Sequence, residues 1–135
     1  MSHPITHDWF SLSIRRNRKS FIGANISVGL IMALVEWTLL FFEARQSAGE
    51  LIYVMFNILS LIAVATLVAQ RLRDLNVNGW YAFPILALPL VVGLGVGVKL
   101  FPEALISFLP LLMVTPLYCF RGTKGPNRYG KDCLA

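Results

Sequence analysis

Along its length the chain alternates long apolar runs with short polar clusters. Four runs stand out, at about 21–42, 51–69, 81–98 and 104–120. Crossing roughly 30 Å of hydrocarbon at about 1.5 Å per residue takes about 20 helical residues, and each run approaches that length. The pattern predicts an all-α chain, an integral membrane four-helix bundle forming a single domain over 1–135. A basic segment (1–20) precedes the first span and a basic tail (121–135) follows the last. Only Lys99, Leu100, Phe101, Pro102 and Glu103 separate the last two runs. A charged pair flanking a proline fits a tight hairpin, because proline lacks a backbone donor and charges avoid the bilayer centre.

Composition supports this reading. Across 135 residues, 56% are hydrophobic and 14% charged, and a water-soluble globule of that size would be left with large exposed apolar patches. The opening MSHPITHDWFSLSIRRNRKS is too polar for a signal-peptide core, so the first span is expected to stay in the protein. No solenoid repeat or low-complexity linker divides the chain.

Charge then sets direction. Arg15, Arg16, Arg18, Lys19, Arg71, Arg73, Arg121, Lys124, Arg128 and Lys131 fall on one side of the predicted spans. Arg45 and Lys99 fall on the other, beside Glu43, Glu50 and Glu103. Cytoplasmic flanks carry the excess of Lys and Arg, so ten against two puts both N-terminus and C-terminus in the cytoplasm. Tyr53, Trp80, Tyr81 and Tyr118 sit at span ends, where amphipathic rings favour the head-group zone. The net charge of +5 therefore reads as attraction to a bilayer with anionic head groups, and no nucleic-acid partner is expected.

Within the spans, Glu36 is the most unusual residue, since an ionised carboxylate in hydrocarbon is costly unless paired or hydrated. Asn57 falls at a similar depth in the next span and could donate to it, as a polar clasp or as part of a proton or cation site. Gly93 and Gly97 form a small-residue face for helix packing, and Pro84, Pro89, Pro110 and Pro116 imply kinks in the last two spans.

Signals for catalysis are weak. His3, His7 and Asp8 lie near a terminus and beside Pro4, which argues against a rigid metal site. Ser11, Ser13 and Ser20 lack a His and acid pattern, and no phosphate-loop, dinucleotide or zinc-protease signature occurs. Cys119 and Cys133 read as two reduced thiols. No enzyme, cofactor or metal is expected.

The informative residues are those of the inner face: IRRNRKSF before the first span, QRLRDLNVNGWY between the second and third, and GTKGPNRYGKDC after the fourth. These should meet at one surface. Arg71, Arg73 and Asp74 can form local ion pairs, while Asn76, Asn78 and Gly79 favour a turn that aims Trp80 into the interface. In the tail, Gly122, Gly125, Pro126 and Gly130 supply turns beside Arg128 and Lys131, where an anionic head group or acidic partner could sit.

At these patches the chain resembles the DUF805 family of small bacterial inner-membrane proteins of unknown function. The family's pattern is similar to GRxxRxxFW before the first span, RRLRDTGxSGWW before the third, and a GxxGxNRYGxDP tail. Ile14, Arg15, Arg18, Phe21 and Ile22 occupy the first, without its Gly and Trp. Arg71, Leu72, Arg73, Asp74, Gly79 and Trp80 keep the second, with Gln70, Leu75, Asn76 and Asn78 departing from it. Gly122, Gly125, Asn127, Arg128, Tyr129, Gly130 and Asp132 keep the third, with Cys133 in place of proline. The resemblance implies a multi-pass helical protein of the bacterial inner membrane and supplies no reaction. It singles out Arg15, Arg18, Phe21, Arg71, Arg73, Asp74, Gly79, Trp80, Asn127, Arg128, Tyr129 and Gly130 as candidate binding residues.

Two functions follow as expectations. One is a non-enzymatic scaffold whose cytoplasmic face binds anionic lipid or a membrane or cytosolic protein partner. The other is a homo-oligomeric small-solute or ion transporter, or pore, built around Glu36.

Overall fold

The computed structural model describes residues 14–41, 48–91 and 103–130. They are helical: α1 Arg18–Phe41, α2 Ala48–Asp74, a 3-10 turn Gly79–Tyr81, α3 Ala82–Val91 and α4 Glu103–Cys119. Among the described residues there is no strand, and the one β-bridge joins Asn127 to Gly130. Two helices, Arg18–Phe41 and Gly49–Asp74, are long and apolar enough to cross a membrane. Gly93 and Gly97, Arg45 and Lys99, the histidines at 3 and 7, Lys131, Asp132 and Cys133 lie outside the described residues.

Capping explains the helix ends. Asn17 starts α1 by accepting the Ser20 N–H on its side chain (2.8 Å) and the Phe21 N–H on its carbonyl (2.9 Å), which satisfies two donors of the first turn. Glu50 stands in the first turn of α2, with Arg71 and Arg73 in its last, each sign opposing the nearby end of the helix dipole.

α2 outruns the apolar stretch that marks it in the sequence and ends at Asp74 in a left-handed cap. Asn76 adopts φ 62°, the Val77 N–H reaches back to the Leu72 carbonyl (2.9 Å), and the Asn76 N–H reaches the Arg73 carbonyl (3.0 Å). Both bonds of a Schellman motif are thus present, closed by Val77 packing near buried Leu72. Arg71, Arg73 and Asp74 therefore sit on the last helical turn, with fixed directions, and not in a loop.

α2 touches each of the other helices, α1 runs along it, and α3 packs on α4. The described core lies toward one end of this arrangement. Phe21 and Ala24 of α1 meet Leu67, Val68 and Leu72 of α2, Ala82 of α3 and Leu117 of α4. Phe21 also sets its ring 5.0 Å from that of Tyr118. Away from this end the helices bare large apolar side chains: Leu30 is 66% exposed, Leu34 62% and Trp37 63%. The buried end is also where the polar residues collect.

Candidate functional site

At the polar end, three stretches distant in sequence converge on Asp74. Arg15, just before α1, donates to its Oδ1 from Nε (3.3 Å) and Nη2 (3.0 Å). Arg71, one turn earlier on α2, donates from Nη1 to Oδ2. The three side chains are closed off from solvent, at 1% exposure for Arg15, 0% for Arg71 and 5% for Asp74. Two cations on one carboxylate leave an excess positive charge inside, and backbone carbonyls take it up. Arg15 also donates to the carbonyls of Thr123 (2.7 Å), Gly125 (2.8 Å) and Gly130 (3.2 Å). Arg71 donates to those of Leu117 (3.0 Å), Arg16 (3.4 Å) and Phe120. Leu117 lies in the last turn of α4 and Phe120 just beyond it, so Arg71 caps that helix at the negative end of its dipole.

The tail is held by both backbone and side chains. Thr123 donates twice to the Asp74 carbonyl, from its N–H and its hydroxyl, each at 2.8 Å. Asn127 donates to the Arg73 carbonyl and to the Thr123 hydroxyl, both at 2.9 Å. Asn127 and Gly130 exchange backbone hydrogen bonds at 3.0 Å, closing a turn in which Gly130 takes φ 127°, a conformation that side chains resist. Gly122 is required for a different reason. A β-carbon there would overlap the Asp74 carboxylate, lying 2.5 Å from Cγ and nearer still to Oδ2.

Twelve inner-face candidates were expected to form one surface; the structure sorts them into layers. Arg15, Arg71, Asp74 and Phe21 are interior. Gly79 is also buried, its missing side chain leaving room for Arg73 and Ala69, since a β-carbon would stand 3.0 Å from Arg73 Nε and 3.1 Å from the Ala69 carbonyl. Asn127, Tyr129 and Gly130 shape the tail over them. Arg18, Trp80 and Arg128 are outermost. Arg128 lies over the Tyr129 ring at 4.7 Å and donates to the Asn76 carbonyl (2.9 Å), and Arg73 approaches the same ring at 5.8 Å. Arg18 reaches the Cys119 carbonyl (3.5 Å), and Cys119 itself is an exposed free thiol.

Sequence reasoning missed Arg16, Gln70 and Thr123 as members of this cluster. Arg16 donates to the Gln70 side chain (2.6 Å) and to the Ser20 hydroxyl (2.7 Å), and its N–H meets the Gln70 carbonyl (3.3 Å). A signal was present: Leu67, Gln70, Arg71 and Asp74 share i, i+3, i+4, i+7 spacing, so the buried stripe of α2 runs on into polar residues.

Glu36 and Asn57 stand apart from this cluster, on exposed positions of α1 and α2. The Asn57 amide donates to the Tyr53 carbonyl in its own helix (2.9 Å).

A protein-family model described as "Protein of unknown function (DUF805)" matches residues 9–131. No curated protein and no solved structure matches the chain.

Proposed function

Because the chain belongs to the DUF805 family, to which no activity is assigned, we propose a role from its polar end: a membrane scaffold that presents this face to anionic head groups or an acidic partner. The protein is a four-helix, multi-pass component of the bacterial inner membrane, with both termini in the cytoplasm, and performs no catalysis. Support for the membrane comes from the two long helices, whose most apolar windows are only 17% and 22% buried. A soluble core helix of that composition would be mostly covered, whereas hydrocarbon tolerates bare Leu and Trp side chains. Support for the orientation comes from the ten-to-two division of Lys and Arg.

The observation that carries the reading is the arginine–aspartate clasp. Holding the basic segment 121–130 against the helices would be needless if the charges served only to direct insertion. The clasp fixes the segment before α1, the α2–α3 turn and the tail as one unit, and Arg18, Lys19, Trp80, Arg121, Lys124 and Arg128 are exposed on it. A rigid face with its cations already spaced loses less entropy on binding than three loose ends would.

The test is photocrosslinking in intact membranes from probes at Trp80 and Tyr129, followed by mass spectrometry. Enrichment of anionic lipid, or recovery of a protein with an acidic contact region, is the expected result. Lipids recovered only in proportion to their abundance, with no protein, would refute the reading.

A further inference from the structure

Below Trp80 a groove of about 300 Å³ opens between α2 and the start of α3. Its walls are apolar, with Ile62, Ala65 and Ala69 on one side and Ala82 and Phe83 on the other. One charged residue lines it, Arg73, and the Nη1 of Arg73 is buried with no hydrogen-bond partner. The contrast with its neighbours is sharp, because Arg15 and Arg71 each spend several donors on carboxylate and carbonyl oxygens. A buried guanidinium nitrogen left unmet is costly, and an acceptor from outside the chain would relieve it.

Resting on the membrane-scaffold reading above, we propose that this groove is a binding site for one anionic phospholipid. The lipid phosphate accepts from Arg73 and one acyl chain lies between α2 and α3. Shape, charge and position all favour that occupant. From Arg73 to Ile62 is eleven residues along α2, so the apolar wall extends for ~16 Å below the cation, the layout of a head group above a chain. Trp80 is 65% exposed and stacks on Phe83, ring centroids 5.3 Å apart, at the groove's polar end, where an indole suits the head-group zone. The choice of an anionic over a zwitterionic lipid follows from the surroundings. Among the described residues of this end Asp74 is the one acid, and it is enclosed, while Arg18, Lys19, Arg121, Lys124 and Arg128 are exposed. A choline or ethanolamine ammonium would meet those cations, and a glycerol head group would not. Gly79 belongs to the same design, since a side chain there would press on Arg73 Nε.

Native mass spectrometry of the purified full chain tests this, counting bound phosphatidylglycerol against phosphatidylcholine of identical chains, with inorganic phosphate as a third arm. Wild type should retain phosphatidylglycerol preferentially. Arg73→Gln should lower that affinity about tenfold, the loss of one charge-assisted hydrogen bond, and Arg73→Lys should restore part of it. Ala65→Phe, which fills the groove and leaves every charge in place, should lower it as well and serves if Arg73→Gln does not yield folded protein. Retained preference in both Arg73→Gln and Ala65→Phe, lost instead in a Lys124→Gln/Arg128→Gln variant, overturns the groove and leaves the face-level reading standing. No preference in wild type overturns the lipid site, and the crosslinking experiment then decides the scaffold reading on its own. Displacement of the lipid by millimolar inorganic phosphate, with the same dependence on Arg73, would make this a simple anion site and overturn the acyl-chain assignment.

Discussion

Replacing Asp74 by Asn should release the tail. The substitution keeps the shape of the side chain and the backbone carbonyl that Thr123 bonds twice, so it removes the charge and little else. What is lost is the counter-ion of two enclosed guanidinium groups, reached by three donor nitrogens. Removing one member of a buried ion pair costs about 3–5 kcal/mol, and because the amide retains one acceptor oxygen the lower figure is the better expectation. About 3 kcal/mol, at roughly 1.4 kcal/mol per tenfold, raises the ratio of open to clasped protein on the order of a hundredfold. Limited trypsin digestion of the detergent-purified chain reads that ratio at Arg121 and Lys124, as long as closing is faster than cleavage. Asp74→Asn should be cut there far faster than wild type while its helical circular dichroism is retained. Arg15→Met should release the tail as well, since Arg15 also donates to the carbonyls of Thr123, Gly125 and Gly130. Cleavage of Asp74→Asn within about twofold of wild type would show that the carboxylate does not hold the tail, and the reasoning would fail.

Other substitutions probe separate links. Gly122→Ala should destabilise by about 1–3 kcal/mol through overlap with Asp74, whereas Gly23→Ala, with open space around it, should be neutral or mildly stabilising, as thermal aggregation of the two variants will show. Asn76→Gly should be tolerated and Asn76→Val should cost about 1 kcal/mol or more, because φ 62° is strained for a β-branched residue; melting temperatures compare them. Thiol labelling of Asn17→Cys and Lys124→Cys, in a background without native cysteines, should occur from the cytoplasmic side for both, and opposite labelling would overturn the topology. Glu36→Gln, 18 residues or ~27 Å along α1 from its start at Arg18, should leave the trypsin pattern of the tail unchanged.

The sequence made the meeting of three basic patches legible, because charge asymmetry and the matched motifs both pointed to one face. It concealed that five of the twelve candidate residues, Arg15, Phe21, Arg71, Asp74 and Gly79, are interior. Arginines flanking apolar segments read as hydrated topology signals, and nothing local distinguishes Arg15, enclosed, from Arg18, three residues on and exposed. The difference comes from partners 59 and more than 100 residues away. Two clues were present nonetheless. One is the continuation of the buried stripe of α2 from Leu67 through Gln70 and Arg71 to Asp74. The other is Asp74 itself, the one acid of the QRLRDLNVNGWY stretch, one turn from Arg71, which is where a counter-ion would be needed. Gly122 illustrates the reverse difficulty. As a sequence feature it suggested a turn, but the structure gives it a steric role against a side chain 48 positions earlier, which no local reading could supply.

The clasp also imposes an order of events during synthesis. Asp74, Arg15 and Arg71 are made well before Thr123, Gly125 and Gly130, whose backbone oxygens complete their shell. Until the tail is made, those oxygens are missing and, of the acceptors described for it, Arg15 has only Asp74. Once it arrives, the same guanidinium groups are withdrawn into the interior. The clasp is therefore a lock that only the last-made segment can shut, and its closure reports that the chain has been made at least as far as Gly130.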